Sequence, residues 1–183
     1  MSRLWRALVV GFLAMSSVAA HAQDEPKLKT VPDSVNFIWK DIARDFVALA
    51  EAMPEDKWNF KPTQGEFKDV RSFGEQVKHV ACANQAWAKK LAGETPPARC
   101  DRGGPNPAQS KAEVLVYLRD SFTMLDKAIA ATNSENLLQA TPGPYWGPNR
   151  LSALTAVVWH LSDHYGQLVV YLRMNGIVPP ASR

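Results

Sequence analysis

Residues suited to redox or metal chemistry are scarce in this sequence, whose 183 residues include two cysteines and four histidines. Cys82 and Cys100 are too far apart for a CxxC pair, which excludes a thioredoxin-like redox centre. No glycine-rich phosphate loop, HExxH helix or Ser/His/Asp arrangement is present, so the usual signatures of nucleotide, zinc-protease and serine-hydrolase chemistry are missing. Charge of one sign is lacking as well. The 21 Lys and Arg face 18 Asp and Glu, with no long basic run and no basic stripe interleaved with aromatics. Nucleic acid is therefore not an expected partner. No stretch alternates convincingly enough to read as a strand.

Long apolar runs are also absent after the first two dozen residues, and the run at the start is short. Arg3 and Arg6 give a basic beginning, Ala7 to Met15 an apolar core, and Ala20-His21-Ala22 a small-x-small cleavage site before Gln23. This pattern predicts a signal peptide over residues 1–22, too short to cross a bilayer comfortably, with export to the periplasm or beyond. Cleavage would remove two arginines and no acids, leaving 161 residues with 19 basic against 18 acidic side chains. Residues 23–183 are long enough for a single domain with a real core. In an exported chain an even number of cysteines makes a Cys82–Cys100 disulfide admissible, with two free thiols as the alternative.

What the mature chain does have is helical periodicity. Val35, Ile38, Trp39, Ile42, Phe46, Leu49 and Met53 recur by three and four, predicting a first helix from near Pro32 to Pro54. Trp58, Phe60, Pro62, Gly65 and Phe67 make the following linker too aromatic for a free tether. Ser72 with Glu75 forms a capping-box spacing before a second helix, whose core side carries Phe73, Val77, Val80, Trp87 and Leu91. Ser110 with Glu113 repeats that spacing before Val114, Leu118, Phe122, Leu125 and Ile129. A second irregular connection brackets Tyr145 and Trp146 with prolines and glycines. The last helix follows, from Asn149 to Gly176, with Leu154, Val157, Leu161, Leu168 and Leu172 as its stripe. These elements predict an all-α fold, an antiparallel four-helix bundle with long irregular connections.

The last helix is the element the others are arranged around, because it carries His160 and His164. A spacing of four sets two side chains roughly 40° apart around a helix and roughly 6 Å apart along it, so both imidazoles reach one point. His164 falls within the apolar stripe and His160 on its flank. A buried imidazole needs partners for both ring nitrogens, which a metal and an outer acceptor would supply. His79, the remaining histidine of the mature chain, flanks the stripe of the second helix in the same way. One histidine plus an i,i+4 pair makes a three-nitrogen site with an open position, suited to zinc, nickel or another borderline divalent ion. Glu75, one turn before His79, is a candidate general base, although its capping-box position already explains it. Trp58, Trp146 and Trp159 are candidates for the wall of a pocket, and equally for packing.

The segments RSFGEQVKHVACANQ, from Arg71 to Gln85, and RLSALTAVVWHLSDHYGQLVVYLRMNG, from Arg150 to Gly176, resemble those of the DinB-like superfamily of four-helix metalloproteins. The single histidine on helix two, the HxxxH on the last helix and the Gly166-Gln167 that follows carry the resemblance, which spans essentially residues 31–180. It implies that His79, His160 and His164 bind one divalent metal ion. Members include thiol-dependent transferases and isomerases, mostly cytoplasmic, whereas this chain carries an export signal. The expectation is therefore a metal-dependent hydrolase or small-thiol transferase with a small-molecule substrate. The alternative is a non-enzymatic module that binds a metal or small ligand. A homodimer is compatible with this reading; membrane insertion after cleavage is not expected.

Overall fold

The computed structural model describes residues 27–96, 99–143 and 147–183, and four helices account for most of them. The expected signal peptide, Tyr145 and Trp146 lie outside the described residues. Among those residues no helix is long and apolar enough to cross a membrane.

Helix α1 spans Val31–Ala52, α2 Phe73–Leu91, α3 Lys111–Ala130 and α4 Arg150–Met174. Each begins with a reciprocal capping box. Ser72 with Glu75 and Ser110 with Glu113 cap α2 and α3 as the spacing predicts, and Thr30 with Asp33 and Asn149 with Ser152 do the same for α1 and α4. Each such cap satisfies backbone N–H groups that a helix start otherwise leaves open.

The apolar stripes meet in one core. Trp39, Phe46 and Leu49 of α1, Phe73, Val77 and Val80 of α2, Leu118 and Leu125 of α3, and Leu154, Leu161 and Leu168 of α4 are all fully buried. Ile38, expected in the stripe of α1, is exposed, because Trp39 beside it takes the inward position and its Nε1 donates to Asp126 on α3. The aromatic linker after α1 packs down as expected. Trp58 is buried edge-on against Phe73, and Gly74 provides the space: a Cβ there would fall 2.3 Å from Trp58 Nε1.

The bundle is a ring in which α1 packs against α3 and α4, and α2 against the same two helices. Helices α1 and α3 run antiparallel, as Trp39 meets Asp126 while Glu51 meets Arg119. Helices α2 and α4 do likewise, with Gln76 against Gln167 and Trp87 against His160. The α2–α3 connection doubles back along α2. Cys100 is bonded to Cys82, Gly103 lies against Lys78, and Arg102 reaches Glu75. Gly103 and Gly104 have φ of 89° and 67°, and a Cβ on Gly104 would fall 2.5 Å from Cys82 Sγ. Only glycine supplies both that backbone and that close approach. This returning loop covers the face of α2 that carries His79.

Candidate metal centre

The three histidines converge. His160 and His164 project from α4 one turn apart, and α2 brings His79 across from them. His160 Nε2 lies 3.2 Å from His79 Nε2 and 3.1 Å from His164 Nε2, and the three candidate ligand atoms all lie within 4.8 Å of one another. The helix packing that buries Val77, Val80 and Leu161 therefore also gathers the imidazoles.

The hydrogen bonds fix which nitrogen of His79 faces inward. His79 Nδ1 is 2.7 Å from the carbonyl oxygen of Cys100 and donates to it, since a carbonyl only accepts. Its Nε2 therefore presents a lone pair to the other two rings. Among the described residues, Nδ1 of His160 and of His164 is buried without a partner, and no outer acceptor holds those rings as Cys100 holds His79. Gln167 lies beside His164, but its amide is spent on Gln76 at 2.5 Å and Asp163 at 2.8 Å.

All three imidazoles are held neutral. Burial, followed by the proximity of His164 and His79, pushes His160 down to about 2. Burial, with His79 and Arg71, pushes His164 down to about 3, against a small opposing effect of Gln167. Burial lowers His79 as well, partly offset by the Cys100 carbonyl. Neutral imidazoles are the form that ligates metal.

Three ring nitrogens so placed fit a divalent cation. Metal–nitrogen bonds of about 2.0–2.1 Å in tetrahedral array set nitrogens roughly 3.3 Å apart, close to the two separations found here. Without a cation the cluster would set lone pairs against one another with too few protons to bridge them. The donor set, nitrogen only and uncharged, suits zinc or nickel better than calcium or magnesium.

Glu75 does not join them. One carboxylate oxygen accepts from the Ser72 N–H at 2.7 Å and meets Lys61 at 3.3 Å, and the other meets Arg102 at 3.0 Å. Burial would raise its pKa, but the Ser72 N–H, Lys61 and Arg102 outweigh that and hold it below the usual carboxylate range. One oxygen thus serves the cap and Lys61 and the other Arg102, so the carboxylate is engaged in the cap and two ion pairs. Of the tryptophans considered for a pocket wall, Trp58 is in the core and Trp159 is about half exposed.

A cavity of about 360 Å³ opens beside the triad, lined by His79 and His160 together with Trp87, Lys90, Arg99 and Asp101. Asp101, Lys90 and Trp87 are the residues that sequence reasoning missed as site components. For Lys90 a signal existed: eleven positions past His79 is a rotation of only about 20° around the helix. Asp101 had none, because its place depends on the path of the returning loop.

A family model described as the DinB superfamily matches residues 39–168, which include all three histidines. The comparison with curated proteins gave no match.

Proposed function

The chain belongs to the DinB superfamily, and on that premise we propose that His79, His160 and His164 hold one divalent ion, zinc or nickel, for hydrolysis of a small molecule in the adjoining cavity. The observation that carries this is the convergence of three Nε2 atoms, with His79 locked lone pair inward by the Cys100 carbonyl. An ion in that position supplies Lewis acidity towards a carbonyl or similar group. The chain's own residues do the rest. The imidazoles stay neutral and bring no charge to offset the ion. Trp87, packed edge-on against His160 at 4.9 Å between ring centres, keeps water from that side of the ring. Asp101 is the one carboxylate among the described residues lining the cavity, which supports giving it, in place of Glu75, the role of proton acceptor.

That carboxylate supplies the proton acceptor that activation of a water molecule needs, which supports the hydrolytic route. The Cys82–Cys100 disulfide supports export, since such bonds persist in oxidising compartments. The test is a screen of the metal-loaded protein against small esters, amides and thiol-transfer substrates, repeated with D101N and H160A. Hydrolysis lost in H160A, and slowed in D101N with metal retained, is the expected result. Thiol transfer untouched by D101N would reassign the reaction. Metal binding with every substrate inert would favour a non-enzymatic binding module.

A further inference from the structure

The cavity beside the triad also takes lining from α2 beyond His79, as far as Lys90, with Trp87 between Lys90 and the His160 ring. His79, Ala83, Ala86 and Lys90 line it in order along one side of the helix. By helix rise the first and last are roughly 16 Å apart between Cα atoms, with alanines and the Trp87 ring between them. Lys90 is 1% exposed, and the carbonyls of Pro142 and Gly143 accept from its ammonium at 2.7 and 3.1 Å. Two of its three N–H groups are thereby used, and it has no ion pair among the described residues. Burial lowers its pKa.

Trp87 adds a second, independent sign. It is 6% exposed, it lines the same cavity, and its Nε1 is buried with no hydrogen-bond partner among the described residues. An unmet buried donor is costly, and native structures rarely keep one without use. Trp87 and Lys90 stand three residues apart, so their side chains are neighbours on the helix surface. A spare ammonium proton and an unmet indole N–H beside one cavity both call for an acceptor, and the uncompensated charge calls for an anion.

We propose that this end of the cavity is a carboxylate subsite, in which Lys90 Nζ and Trp87 Nε1 donate to the terminal carboxylate of a ligand whose apolar middle lies along Ala83 and Ala86. The substrate class is then a chain with a carboxylate at one end and its reacting group at the other, directed to the triad. The second half of that statement rests on the metal-centre reading; the subsite itself does not.

The test is calorimetric titration of the metal-free full chain with hexanoate and with hexan-1-ol. Hexanoate is expected to bind about tenfold or more tightly than the alcohol, as a charge-assisted contact warrants. K90M should abolish that preference, K90R should keep part of it, and W87F should weaken hexanoate about threefold. Equal binding of acid and alcohol, or undiminished preference for hexanoate in K90M, would overturn the proposal. Should K90M fail to fold, W87F decides: a folded W87F that binds hexanoate as tightly as wild type refutes the shared subsite. Because no metal is needed, a protein that binds no zinc can still pass this test, and one that binds zinc can still fail it.

Discussion

His79 Nδ1 lies 2.7 Å from the carbonyl oxygen of Cys100, so a ring that faces the triad with one nitrogen is anchored by the other to a residue covalently bonded to Cys82. Cys82 is three residues beyond His79 on α2. The disulfide therefore ties the returning loop to the helix beside the histidine it orients.

Breaking that tie should act on stability and on metal binding together. The bridge closes a sequence separation of 18 residues, and cross-links of that span are worth about 3 kcal/mol. Outer acceptors to metal-bound histidine commonly account for about tenfold or more in affinity. The C82S/C100S variant is expected to show both losses in urea denaturation and in zinc titration with a competing chelator. A variant that loses stability yet binds zinc as tightly as wild type would show that Cys100 holds the loop without holding His79.

Stability of the metal-free protein should fall as the solution is acidified from near neutrality. His160 and His164 lie at about 2 and about 3 in the folded protein, against 6.5 ordinarily. Below pH 6.5 the unfolded chain takes up protons at these positions and the folded one does not, so acid favours unfolding until the folded values are reached. Urea midpoints measured between about pH 7 and pH 4 should drop more steeply for wild type than for H160Q/H164Q. Parallel curves would mean that the imidazoles are not held neutral.

Glu75 is expected to behave as a cap. E75A should cost about 1 kcal/mol in stability, the usual value of such a contact, and leave metal content unchanged. Loss of metal, or loss of activity at unchanged stability, would return Glu75 to the site.

The bundle was legible in the sequence because its signals are local. Apolar residues at three- and four-residue spacing gave all four helices, and Ser72/Glu75 and Ser110/Glu113 marked two starts within a residue. The i,i+4 pair on α4 was legible for the same reason, since spacing alone sets two rings on one face. The meeting of His79 with that pair was not local: its place beside the second helix's stripe allowed it, and the family resemblance pointed to it. Glu75 shows the limit most clearly. Its position already suited a cap while leaving a catalytic role open, and the further partners, Lys61 and Arg102, lie 14 residues before it and 27 after. Asp101 and the carbonyls that meet Lys90 depend on loops whose course no periodicity encodes.

The most direct measurement is the metal content of the purified protein, set beside H79A, H160A, H164A and the triple variant after equal exposure to zinc and nickel. The account predicts about one ion per chain in the wild type, weaker binding in each single variant, and none in the triple variant, with E75A matching the wild type. A wild type that retains no zinc, nickel, manganese or iron, or a triple variant that retains as much as the wild type, would contradict it.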